Sequence, residues 1–144
     1  TSAEAVPTSH ACGLAFQLTN ILRDVPEDLA RGRVYLPAED FQACGCRAED
    51  LRATRIGPEF TRLAALACDR ASAAYDRAAK LDRMLSTDGR LAFRAMFGVY
   101  RGLFAAVRRA GPCIFTVRPR RSRAALAGAA AATLLVGTRR RRWL

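Results

Sequence analysis

The sequence predicts an all-α fold, and three observations carry that expectation. Apolar residues recur at alternating steps of three and four, the spacing that gathers side chains on one helix face. The every-other-residue alternation of a half-buried strand is almost absent. Glycine and proline punctuate the pattern at Gly45, Gly57–Pro58, Gly89 and Gly111–Pro112, so each helical stretch has a predicted stop. The 144 residues, 51% of them hydrophobic, are enough for one domain with a real core. No internal repeat is visible.

The first predicted helix begins near Ser9, after the breaker Pro7, and runs to about Arg31. Leu14, Leu18, Ile21, Leu22, Val25 and Leu29 populate its packing side. Gln17, Asn20, Asp24, Glu27, Asp28 and Arg31 form a polar stripe on the other side. Asp24, Glu27 and Asp28 are three carboxylates within about one turn. Like charges repel, and burying them unpaired is costly, so the cluster is either solvated or holds cations. Carboxylate and amide oxygens are hard ligands suited to Mg²⁺, with Mn²⁺ as the alternative. Arg23, Arg31 and Arg33 add fixed positive charge suited to diphosphate oxygens. The spacing alone also fits a solvated acidic face with i,i+4 pairs. Gln17 and Asn20 on the same stripe weigh toward a metal-bridged diphosphate site. Pro26 removes one helical hydrogen bond, to the carbonyl of Leu22, and predicts a kink between Asp24 and Asp28.

The next elements read as connection and packing. Ala38 to Ala43 predicts a short helix stopped by Gly45, and Arg47 to Arg55 a second one ended by Gly57 and Pro58. Asp40, Glu49 and Asp50 are expected to be caps and surface charges. From Pro58 to Leu85 the seam Phe60, Ala64, Ala67, Ala71, Ala74, Ala78, Leu81 and Leu85 predicts a core helix, with Arg62, Asp69, Asp76, Arg77 and Arg83 outside. Ser86 to Gly89 supplies capping residues for a last long helix, about Arg90 to Ala110. Phe93, Phe97, Tyr100 and Phe104 form an aromatic stripe on it, which reads as core or as the lining of an apolar cavity. Tyr100 is the candidate with a polar handle. Cys113 to Arg123 is irregular and basic. Ala124 to Val136 predicts an apolar terminal helix, too short for a bilayer, which needs roughly 20 residues. Flanking arginines and Trp143 make it a candidate membrane-surface segment.

The run GLAFQLTNILRDVPEDLARGRVYLP, Gly13 to Pro37, closely resembles the second aspartate-rich motif of the squalene and phytoene synthase family. The match is ungapped and joins QLTNILRD, the Glu27–Asp28 pair and RGRVYLP. Weaker similarity continues to about Leu126 and takes in the helix around Tyr100 and the VRPRRSR segment. The balance is most similar to bacterial phytoene synthases. Pro26 departs from the motif, where glycine is common.

The resemblance implies the C-terminal portion of an isoprenoid-synthase helical fold, with residues 1–144 one part of that domain. It implies a head-to-head condensation of two prenyl diphosphates, geranylgeranyl diphosphate to phytoene, with Mg²⁺ assisting ionisation. Presqualene diphosphate or squalene synthesis from farnesyl diphosphate is the alternative. It further implies Asp24 and Asp28 as the catalytic Mg²⁺ ligands, with Asn20 and Glu27 as direct or supporting partners. Gln17, Asn20, Arg23, Arg31, Arg33, Tyr35 and Tyr100 are implied substrate contacts. No nicotinamide cofactor is expected for the phytoene reading, although in the reductive squalene branch the arginine matching Arg23 contributes to binding one. The first aspartate-rich motif is expected on an N-terminal half supplied in cis or in trans, and the isolated chain is expected to be nearly inactive.

Charge is unevenly spread. Residues 1–88 carry a net −2, and residues 89–144, with 13 basic residues and no acid, carry +13. A basic half of this kind suits anionic lipid, diphosphate or nucleic acid. A non-catalytic basic helical module on a membrane or nucleic acid is therefore a further alternative. The arginine clusters lack interleaved aromatics, so no nucleic-acid partner is expected. Five cysteines, an odd number, and no secretory pattern lead to an expectation of reduced thiols in the cytoplasm or at the membrane surface. The cysteine and histidine spacings fit no common zinc site, and no Walker loop, GxGxxG or Ser-His-Asp pattern is present.

Overall fold

The computed structural model describes residues 3–52 and 57–119. The expected helix at 124–136, the arginine run 139–142, Trp143 and the end of the short helix at 53–55 lie outside the described residues. Within them four α-helices appear in the order α1 (Ala5–Ala30), α2 (Ala38–Cys44), α3 (Pro58–Ala78) and α4 (Thr87–Ala110). Short 3₁₀ turns occupy Ala48–Arg52, Ala79–Met84 and Gly111–Phe115. No strand occurs among the described residues, as the missing alternation predicted.

α1 starts four residues earlier than expected and takes in Pro7 near its first turn, where a missing N–H costs no intrahelical bond. It continues through Pro26 to Ala30. Its end is a Schellman turn. The Arg33 N–H donates to the Asp28 carbonyl (2.8 Å) and the Gly32 N–H to the Leu29 carbonyl (3.0 Å). Gly32 holds φ at +72°, a conformation that costs a side chain but not glycine. This turn folds Tyr35 back toward the polar stripe of α1.

Among the described residues, α1 packs most extensively on α3. The predicted α3 seam is its buried face: Phe60, Ala64, Ala67, Ala71, Ala74, Ala78 and the following Leu81 are all buried. Alanine at these positions lets the two helices approach closely. The helix was expected to reach Leu85, but it tightens to 3₁₀ at Ala79. Arg90 supplies a physical reason, since its Nε donates to the Asp82 carbonyl and its Nη2 to the Leu85 carbonyl (2.8 and 3.2 Å). These carbonyls need no further α turn. Ser86 then caps α4 by accepting from the Gly89 N–H at 3.3 Å.

Two expectations on packing are corrected. Leu14, placed on the packing side of α1, is 45% exposed, because α3 and α4 cover only the neighbouring arc through Ala11, Ala15 and Leu22. Asp40, read as a cap or surface charge, is only 1% exposed. Arg70 of α3 explains how a carboxylate can sit there: its Nη1 donates to Oδ2 at 2.8 Å, and its Nη2 lies 2.5 Å from Oδ1 without hydrogen-bond alignment. The pair fastens α2 to α3. Arg70→Ala leaves a buried carboxylate unpaired and should destabilise the chain by ~2 kcal/mol, less than a fully buried pair because Arg70 itself is half exposed. Urea denaturation measures this, and an unchanged midpoint would count against the pair as a structural fastener.

Candidate functional site

The polar stripe of α1 opens onto two adjoining clefts. One, about 220 Å³, is lined by Gln17, Asn20, Ile21, Asp24, Asp28 and Tyr35. The other, about 210 Å³, is lined by Asp24, Glu27, Asp28, Arg31 and Arg118. Asp24 and Asp28 belong to both. Helical spacing stacks Gln17, Asn20 and Asp24 along α1, and the Gly32 turn brings Tyr35 onto them. Arg33 lines a small crevice beside Asp28 and Tyr35. Nine of the ten residues named from the sequence thus surround this corner directly or through a neighbour. Tyr100 is the more distant one and reaches it from α4.

Tyr100 connects through Asn20, whose Nδ2 donates to the Tyr100 hydroxyl at 3.5 Å. The Tyr100 ring stacks on Phe16 with centroids 4.1 Å apart and planes 16° apart. Phe16 in turn meets Phe97 and Tyr75 at 6.3 and 6.4 Å. The aromatic stripe of α4 therefore forms an apolar wall next to the polar corner. Phe93 and Phe104 are buried in the core, while Phe97 and Tyr100 are only partly covered. Two residues of the stripe are thus core, and two pack on its edge.

Arg23 does not point into open space. Its Nε and Nη2 donate to the two oxygens of the adjacent Asp24 at 2.8 and 2.6 Å. Asp24 and Glu27 also share Arg118, which lies 2.8 Å from Asp24 Oδ1 and 3.0 Å from Glu27 Oε1. Sequence reasoning assigned Arg118 no role; its only signal was membership of the basic VRPRRSR segment. It lies 94 positions from Asp24 and 91 from Glu27 in sequence, so no local spacing rule could pair them.

The Arg23 hydrogen bond holds the Asp24 carboxyl below the usual range. Partial burial opposes this, and the charges of Arg23 and Arg118 add to it. A depressed folded value means that the network stabilises the chain above the ordinary carboxylate pKa, about 3.9, and is lost as pH falls through the lower folded value. The stability gap between the chain and Asp24→Asn should therefore be full near neutral pH and shrink below about pH 4. Urea midpoints across that window measure it; a gap that grows on acidification contradicts the assignment.

The donor set fits a hard divalent cation. Asp24 and Asp28 carboxylates and the Gln17 and Asn20 amides line one cleft. Among the described residues no three acidic, histidine or cysteine side chains converge closely enough to chelate an ion by themselves. Mg²⁺ does not need that many, because it commonly takes one or two carboxylates and completes its shell with phosphate and water. Cys113 is exposed, and the other four thiols are withdrawn from solvent. Cys12, Cys44, Cys46 and Cys68 are buried, and burial pushes the thiols of Cys12, Cys46 and Cys68 up, away from the reactive thiolate. No described helix is long and apolar enough to cross a membrane.

Comparison with known proteins places the chain in a family. The family profile described as squalene/phytoene synthase matches residues 1–131. The chain is 41% identical over 109 residues to a phytoene synthase of Thermus thermophilus, covering 75% of this chain and 37% of that protein. It is 35% identical over 108 residues to a 15-cis-phytoene synthase of Synechococcus elongatus, covering 75% of this chain and 35% of that protein. In structure it is similar to the squalene synthase HpnC of Alicyclobacillus acidocaldarius, with a TM-score of 0.66 and 34% identity, covering 77% of this chain and 42% of that one. The chain thus spans between a third and a half of the length of these relatives.

Proposed function

Because the chain belongs to the squalene/phytoene synthase family, we propose that it supplies the diphosphate-binding, Mg²⁺-dependent part of a head-to-head prenyltransferase that converts two geranylgeranyl diphosphates to phytoene. The observation that carries this reading is the shared corner of Asp24 and Asp28, flanked by Gln17, Asn20 and Tyr35 and walled by the Phe16–Tyr100 stack. Asp24 and Asp28, with Asn20 and Gln17, would hold Mg²⁺, and Glu27 would support them. Bound there, the ion would neutralise the leaving diphosphate.

The rest is the work of the side chains. Arg31 and Arg33 attract the anionic headgroup to the α1 end of the cleft, and Tyr35 closes its rim. Asn20 is held in place by its bond to Tyr100. The partly covered faces of Phe97 and Tyr100 exclude water beside the corner, and their π-faces stabilise a passing allylic cation. Arg23 is committed to Asp24 and acts by positioning it.

Use of farnesyl diphosphate is the second reading, favoured by the structural likeness to a protein named squalene synthase. Both readings are tested with labelled geranylgeranyl and farnesyl diphosphates, Mg²⁺ and two proteins. One is this chain; the other is a chimera in which it replaces the matching segment of the Thermus thermophilus enzyme. The isolated chain should bind prenyl diphosphate with turnover near background. The chimera should make phytoene. A C30 product from farnesyl diphosphate alone favours the second reading, and a folded chimera that makes neither product overturns both.

A further inference from the structure

Arg118 has a place in the structure that diphosphate binding does not explain. We propose that Arg118 is an internal counter-cation of the α1 carboxylates, one that bridges Asp24 and Glu27 and competes with a divalent ion for them. This rests on the reading of Asp24 and Asp28 as Mg²⁺ ligands.

The geometry is that of a bridge. One Nη of Arg118 meets Asp24 Oδ1 and the other meets Glu27 Oε1, so a single guanidinium spans two carboxylates one helical turn apart. Both Asp24 oxygens are already engaged by Arg23. With Arg118 added, Asp24 carries three contacts from two cations. Two of them fall on Oδ1, so a divalent ion can coordinate that oxygen only where one of the two is given up.

Arg118 is the contact suited to leave. Arg23 is the sequence neighbour of Asp24 on the same helix, and its side chain is the less exposed, at 23% against 41%. Arg118 stands on a short arm beyond the Gly111–Phe115 turn. The base of that arm is anchored, with Ile114 and Phe115 buried and the Phe115 ring 5.6 Å from Phe60. Thr116 and Val117, between anchor and arginine, are exposed. Pro119, on the other side of Arg118, is buried, so the backbone is held at both ends and the exposed Arg118 side chain can swing its guanidinium away without unpacking the core. A partly exposed, single-charge pair is the weaker competitor against a divalent ion at the same oxygens. The arm thus keeps the carboxylate cluster neutralised and compact until the cation arrives.

Mn²⁺ alone serves as the probe, its binding to the full 144-residue chain read from loss of the free-ion electron paramagnetic resonance signal. The variants are Arg118→Gln, Arg31→Gln and Asp24→Asn/Asp28→Asn, each checked for native helicity. Arg31 lines the same cleft but makes no ion pair among the described residues, so it controls for the loss of one positive charge. Arg118→Gln should tighten Mn²⁺ binding about ten-fold and Arg31→Gln only about two-fold, because only the first removes a direct competitor. Equal gains in the two variants would reduce the effect to general electrostatics and overturn the proposal. Unchanged affinity in Arg118→Gln, with binding lost in the aspartate variant, overturns the counter-cation role and leaves the metal site standing. No Mn²⁺ binding by any variant, with or without added inorganic diphosphate, overturns both.

Discussion

Phytoene formation by the chimera should fall about 10³-fold when Asp24 and Asp28 are both changed to asparagine, with helicity unchanged. Asparagine keeps the shape and an oxygen at each position and removes both charges. The two carboxylates border both clefts, so no other described acidic pair can replace them. Glu27 is the nearest remaining acid, and it faces Arg118 and not the Gln17–Asn20 side. If the reading is right, prenyl diphosphate affinity in the presence of Mg²⁺ should fall with the rate. Without Mg²⁺ the variant should bind the diphosphate as well as the parent or slightly better, because two repelling charges are gone. Residual turnover within ten-fold of the parent would show that the metal is held elsewhere. The parallel product analysis with farnesyl diphosphate keeps this test independent of the choice of substrate length.

The second large effect concerns stability. Tyr75 is fully buried on α3, at the point where α1, α3 and α4 meet. Its ring stacks on Phe104 at 5.0 Å, meets Phe97 edge-on at 5.5 Å and lies under the Arg101 guanidinium. Its hydroxyl is 2.8 Å from Thr19 Oγ1, which also donates to the Ala15 carbonyl at 2.8 Å. Thr19 has one hydroxyl hydrogen and spends it on Ala15, so Tyr75 is the donor of the second bond. Burial pushes the phenol up, which keeps that proton in place. Tyr75→Phe removes one buried hydrogen bond and should cost about 1 kcal/mol. Tyr75→Ala also removes the ring and leaves a cavity, for about 3–5 kcal/mol, a large share of the stability of a domain this size. Thermal and urea unfolding separate the two. Similar costs for both variants would mean that the hydroxyl, not the packing, holds the three helices together.

Thr19 is the residue just before Asn20, so the Tyr75 bond also holds the polar stripe of α1 in register against α3. The sequence reading singled out Tyr100 and passed over Tyr75. Tyr100 lies on a visible aromatic stripe at helical spacing, whereas Tyr75 sits beside the alanine seam and gains its meaning from partners distant in sequence: Thr19, Phe97, Phe104 and Arg101.

Features that depend on local periodicity are legible in the chain before it folds. The four helices, the Gly45 and Gly111 stops, the Ser86 cap, the α3 seam and the polar stripe of α1 all depend on residues within a few turns of one another. The resemblance carried by Gly13 to Pro37 named the family, because that motif is contiguous in the chain. Tertiary structure decided the rest. It placed Asp40 inside against Arg70, left Leu14 outside, tightened the end of α3 around Arg90 and brought Arg118 onto Asp24 and Glu27. Each of these depends on which helix faces which. A spacing rule reports the face a residue occupies, but burial and ion pairing depend on what covers that face, and here the covering residue comes from a distant part of the chain or, at Leu14, the described residues cover it only in part.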